Sequence, residues 1–136
     1  MSQISVLKAM ADESRLRILC LLMEDSLCVC EIEALLGLLQ SNVSRHLNKL
    51  TTSHMVKFYK SNKYIYYELN REWLVENAHF IFEALEREKQ TNFIVQEDVA
   101  RLKIYKTGET DLADEGLQKL CWHKSGEKCN SADGEV

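Results

Sequence analysis

Two short stretches of the chain carry side chains suited to chemistry. The first is Cys28-Val29-Cys30. A helix N-terminus favours the thiolate, the form of cysteine that binds soft metals or attacks another sulfur. Side chains two residues apart in a regular helix diverge by about 200° and do not chelate one ion, so such a pair works only where a helix begins and the backbone can distort. The second stretch is Gln40–Leu50. Val43, Leu47 and Leu50 fall at i, i+4 and i+7, the spacing of a buried helical face. The opposite side carries Ser41, Arg45 and Asn48, flanked by Asn42, Ser44 and Lys49, with Gln40 at the start. Arginine pairs bidentately with guanine and asparagine with adenine, while serine, lysine and asparagine bond phosphates and set register. His46 falls at the margin of the apolar face, where it either packs or touches a phosphate; it is not read as a base contact.

Composition narrows what these residues can serve. The 136 residues fit one compact domain with short extensions, and 46% are hydrophobic, enough for a real core. The net charge of −4 is unevenly spread: residues 40–69 hold Arg45, Lys49, Lys57, Lys60 and Lys63 against Glu68 alone, which leaves −8 for the remainder. One basic island on an acidic chain suits a small protein that grips phosphates with one face. No apolar run is long enough to span a membrane and no signal peptide is visible, so the expected location is the cytoplasm. Five cysteines, an odd number without an export signal, point to reduced thiols that bind a metal, sense redox state or pack. Cys20, within an apolar helix, is expected in the core. No nucleophile–base–orienter set and no glycine-rich phosphate loop is present, so a thiol enzyme is not indicated.

The elements that must position these residues follow from the apolar pattern. No proline occurs, and the spacing predicts helices over 4–10, from Asp12 or Ser14 to Glu24, and over Val29–Leu36 with Ser26 as its cap. Gly37 ends the third helix, and a fourth over Gln40–Ser53 follows a tight turn, which makes a helix-turn-helix. Met55–Tyr59 and Tyr64–Leu69 read as strands joined by Ser61-Asn62-Lys63, with Lys60, Asn62 and Lys63 near the tip of a wing that can meet phosphate or minor groove. A single helix is predicted over 71–89 and another over 93–105. The expected architecture is mainly α with a small β-hairpin wing. A DNA-binding and dimerisation domain covers residues 1–106, and a tail over 107–136 carries Cys121 and Cys129.

Three motifs resemble the ArsR/SmtB family of metal-responsive winged-helix repressors: Ala11-Asp12-Glu13-Ser14-Arg15-Leu16-Arg17-Ile18-Leu19, Leu27-Cys28-Val29-Cys30-Glu31-Ile32, and Ser41-Asn42-Val43-Ser44-Arg45-His46-Leu47 followed by a Tyr-Tyr strand. The resemblance implies a homodimer joined by the first helix and the helix at 71–89. It implies that this dimer sits on an inverted repeat of double-stranded operator DNA and is released when an inducer binds the cysteines. Arsenic-sensing members often carry a third cysteine where this chain has Glu33. The expected ligand set is therefore Cys28 and Cys30 with Cys121 or Cys129, and the inducer As(III), cadmium or lead. A redox or reactive-sulfur sensor on the same scaffold, and a winged-helix module that binds no DNA, are the competing readings.

Overall fold

A computed structural model describes residues 3–107. Seven helices and a three-stranded sheet follow one another as α1 (Gln3–Met10), α2 (Glu13–Glu24), β1 (Leu27–Cys28), α3 (Val29–Leu36), α4 (Gln40–Thr52), β2 (Val56–Ser61), β3 (Tyr64–Leu69), α5 (Arg71–Asn77), α6 (Phe80–Thr91) and α7 (Phe93–Thr107). The expected mainly helical winged helix-turn-helix is the observed one. Cys121 and Cys129, with the rest of the predicted tail, lie outside the described residues.

The core is built on α2, whose Ile18, Leu19, Leu21 and Leu22 are all buried. Asp12 starts this helix, its carboxylate accepting the backbone N–H of Ser14 at 3.0 Å. Leu27, Ile32 and Leu35 join from β1 and α3, Val43, Leu47 and Leu50 from α4, and Ile81, Leu85, Val95 and Leu102 from α6 and α7. The strands are antiparallel in the order β1-β3-β2. β2 and β3 form the wing, in register from Val56↔Leu69 to Ser61↔Tyr64. Asn62 turns the hairpin in the left-handed region (φ 57), which asparagine tolerates.

Three sequence expectations need correction. The wing's first strand is shifted, to Val56–Ser61 rather than Met55–Tyr59. Ser26 does not cap α3. Leu27 and Cys28 first pair with Tyr67 and Tyr66 of β3, and Cys28 then becomes the N-cap residue. Ser26 instead lies 2.9 Å from the Tyr59 hydroxyl on the wing. The helix predicted over 71–89 is broken into α5 and α6, with Ala78 in a non-helical conformation (φ −155, ψ 54) between them. Leu74, Ala78, Ile81 and Leu85 keep helical spacing across the break and all are buried, which is why periodicity does not reveal it. The Asn77 side chain donates back to the Trp73 carbonyl at 2.9 Å, and the freed Asn77 carbonyl accepts from Gln3 of α1 at 2.7 Å.

Candidate DNA-binding face and cysteine site

Both ends of α4 are fixed from outside the helix. Gly37 closes α3 in the left-handed region (φ 68), and the Gly37 and Leu38 N–H groups both donate to the Glu33 carbonyl, at 2.9 and 3.2 Å. The chain then enters α4 at Leu39, which offers no side-chain cap. Glu33 supplies one: its carboxylate accepts the Gln40 backbone N–H, a bond that partly offsets the upward push of burial on its pKa. The residue that stands in place of a third cysteine thus caps the next helix. At the far end His54 adopts the left-handed conformation (φ 66), and the Met55 N–H closes the turn on the Leu50 carbonyl at 3.1 Å.

With Val43, Leu47 and Leu50 fully buried, the outward face of α4 is the predicted one. Ser41, Ser44, Arg45, Asn48 and Lys49 are exposed, and Gln40 and Asn42 are half-buried. The Arg45 guanidinium donates to the Asn42 side chain one turn earlier, which holds it along the face. Lys60, Asn62 and Lys63 are all exposed on the wing. His46 is half-buried, and its Nδ1 lies 3.4 Å from Nη1 of Arg15. Arginine carries no acceptor, so in this contact the ring nitrogen can only accept, which favours the neutral ring. Burial, ahead of the neighbouring cations, lowers its pKa, with Asp12 opposing.

A cleft of about 420 Å³ lies beside this face, lined among others by Lys8, Arg15, Asn48, Lys49 and Thr52. Arg15 is committed to the Ala9 and Lys8 carbonyls, whereas the side chains of Lys8 and Lys49 reach solvent. Sequence reading missed Lys8, because no local pattern tells that the first helix and the fourth line one cleft.

The Cys28 and Cys30 sulfurs lie 3.2 Å apart at the β1–α3 junction, where both residues are fully buried; Cys28 is free and Cys30 is disulfide-bonded. The strand-to-helix change makes this proximity possible, since Cys28 is extended (φ −89, ψ 170) and precedes the first helical turn. Tyr66 of β3 and Tyr105 of α7 pack against the pair. Burial, then the nearby Glu31 and Cys28, push the Tyr66 hydroxyl pKa upward. Glu31 is wholly buried; one carboxylate oxygen accepts the Cys28 N–H at 3.0 Å and the other accepts the Tyr105 hydroxyl. Among the described residues no group of three or more His, Cys, Asp or Glu side chains is placed to hold a metal ion. Cys20 is a core residue, as expected: it is fully buried, and burial pushes its thiol up to about 12.

Residues 12–57 match the family model described as "Bacterial regulatory protein, arsR family". The chain is 34% identical over 99 residues to the arsenical resistance operon repressor of Escherichia coli (strain K12), covering 72% of this chain and 85% of that protein. It is 42% identical over 65 residues to the transcriptional activator HlyU of Vibrio cholerae, a match that spans 48% of this chain and 60% of that protein. The solved structure of reduced HlyU from Vibrio cholerae superimposes with a TM-score of 0.55 at 31% identity, covering 66% of this chain and 87% of that one. Fold, helix-turn-helix and relatives agree: the chain belongs to the ArsR family of bacterial regulatory proteins, which are DNA-binding transcription regulators rather than enzymes.

Proposed function

We propose that the protein is a cytoplasmic homodimeric repressor that sits on an inverted repeat of double-stranded DNA and is released when a soft metal or metalloid binds its cysteines. The observation that carries the reading is the 3.2 Å separation of the Cys28 and Cys30 sulfurs. They lie at the start of the helix whose other end turns directly into α4. Two thiolates at about 2.3 Å from a tetrahedral ion stand about 3.8 Å apart. Around a smaller pyramidal centre with bond angles near 90°, as lone-pair As(III) prefers, about the same bond length gives about 3.3 Å. Cys30 is disulfide-bonded at this spacing, so reduction must free its thiolate before an ion binds; one relative is named for arsenical resistance. Cys121 or Cys129 is proposed as the third thiolate, with residues 1–106 as the binding and dimerisation domain.

On the DNA side, Arg45 and Asn48 are proposed to read base edges. Gln40, Ser41, Asn42, Ser44 and Lys49 set register, and Lys60, Asn62 and Lys63 hold the flanking backbone, with Lys8 as an addition from the cleft. Exposed Ile4 and Leu7 on α1 and Val75 and Phe80 on α5 and α6 support dimerisation through these helices. A two-fold dimer places two copies of α4 about 34 Å apart, one turn of DNA. The test titrates arsenite, then Cd(II), into the reduced protein on a duplex selected by the protein from random sequence, while following thiolate absorption. Release by arsenite that is lost in Cys28→Ser is expected. Unchanged DNA affinity with both ions would sink the inducer reading.

The burial of the sulfur pair favours one second reading, a thiol switch. Cys30 is disulfide-bonded while Cys28 is free, and forming a disulfide, with its sulfur separation of about 2.05 Å, requires no ion to enter the core. Intact mass after peroxide or persulfide treatment, read beside DNA release, separates the two.

A further inference from the structure

Helix α7 stands outside the helix-turn-helix, yet it grips both ends of α3. At one end the Tyr105 hydroxyl donates to Glu31, whose other oxygen takes the Cys28 N–H. At the other end Arg101 Nε donates to the Leu35 carbonyl at 2.9 Å. Asp98 of α7, fully buried, receives Arg17 of α2 at 2.8 and 2.9 Å and Arg101 at 2.7 Å. Arg17 Nη2 also donates to the Leu36 carbonyl at 3.1 Å. These are the last carbonyls of α3, beside the Gly37 turn that leads into α4. The helices run antiparallel, since Tyr105 meets the start of α3 and Arg101 its end. Four residues of α7 span about 6 Å and the four from Glu31 to Leu35 span the same, so the two grips match in spacing.

We infer that Tyr105, Asp98 and Arg101 are positioning residues for DNA reading, and that α7 is the splint through which a change at Cys28 and Cys30 reaches the turn before α4. The inference rests on the proposed repressor function and names the route of its regulation. A carboxylate shared between the Cys28 backbone and Tyr105 cannot follow a moving Cys28 without disturbing one of its two bonds. Disturbing the Tyr105 bond frees one end of a rigid helix whose other end holds the helix-turn-helix turn. Coupling between sites needs such an element with two arrangements, and it is measured as a ratio of affinities, commonly 5- to 150-fold.

The test uses full-length reduced protein and two conservative variants, Tyr105→Phe and Arg101→Gln. In the metal-free arm, hydrogen exchange is read along α3 and the turn after it. Tyr105→Phe is expected to deprotect the Leu36–Leu39 backbone as well as residues near Cys28, and to weaken DNA binding about 3- to 10-fold. Deprotection confined to residues 28–32 with unchanged DNA affinity would mark a local structural role and overturn the inference. In the second arm, the factor by which arsenite weakens DNA binding is compared. Both variants are expected to cut that factor at least threefold while binding arsenite within twofold of the wild type. A wild-type factor in both variants would also overturn it. If arsenite leaves the wild type on DNA, the inducer reading fails, and the exchange arm still decides the role of α7.

Discussion

Glu33 and His46 take their roles from neighbours on other helices. Glu33 occupies the place where a third thiolate would complete a local site, but its carboxylate is spent on the Gln40 N–H at the start of α4. Replacing it with alanine is expected to cost about 1 kcal/mol, the usual loss for a helix N-terminal cap, read by urea denaturation, and to weaken DNA binding without changing arsenite uptake. His46 titrates in the opposite sense from a histidine gaining an acidic partner. Burial lowers its pKa below 6.5, so the folded state prefers the neutral ring. Its contribution to stability is therefore present above about pH 6.5 and lost as pH falls through the lowered value. Urea midpoints are expected to drop between pH 7 and 5, and His46→Gln should flatten that slope. The exposed face of α4 was legible because helical spacing alone separates Val43, Leu47 and Leu50 from Ser41, Arg45 and Asn48. The Glu33 cap was not, because a bond across a left-handed turn leaves no periodic trace.

The helix ends show what an element requires of one residue. Gly37 and His54 both sit in the left-handed region, at φ 68 and 66. A Cβ at Gly37 would meet nothing within 4 Å, so Gly37→Ala tests backbone strain alone and is expected to destabilise by about 1 kcal/mol. His54→Gly relieves the same strain but loses the ring contact with Trp73, whose centroid lies 5.6 Å away. A change of smaller size and opposite sign is expected, both variants being read in urea. Gly37 was readable in sequence because glycine after an apolar helix is a stop signal; His54 was not, since histidine carries no such preference. The two-residue strand β1 and the break at Ala78 escaped for a related reason. One is too short to show a period, and the other keeps its period across the interruption. Asp98 is the furthest from local reading, an acid on a helix whose purpose is an arginine 81 residues away. Asp98→Ala leaves two guanidinium groups with backbone carbonyls but without their carboxylate, and a loss of about 3 kcal/mol is expected in the same denaturation.

At the scale of the whole molecule the question is how a chain of net charge −4 binds a polyanion. The +4 over residues 40–69 lies on α4 and the wing, and the cleft brings Lys8 of α1 beside Lys49. The surplus acid lies elsewhere in the chain. The basic face draws DNA, so affinity should depend steeply on salt despite the acidic total. Each phosphate neutralised contributes about 0.9 to the slope of log K against log salt, and in the proposed two-fold dimer every contact counts twice. Lys8→Ala and Lys63→Ala are each expected to reduce the slope by nearly 2 per dimer and to weaken all sequences alike. Arg45→Ala should instead cost about 1–3 kcal/mol on the selected duplex and little on random DNA, because a base contact is lost along with a charge. A full salt series on both duplexes distinguishes these outcomes. If Lys8→Ala leaves the slope unchanged, the cleft is not part of the interface and the DNA footprint ends at α4 and the wing. If Arg45→Ala weakens both duplexes equally, the residue grips backbone, and sequence reading falls to Asn48 and the groove shape alone.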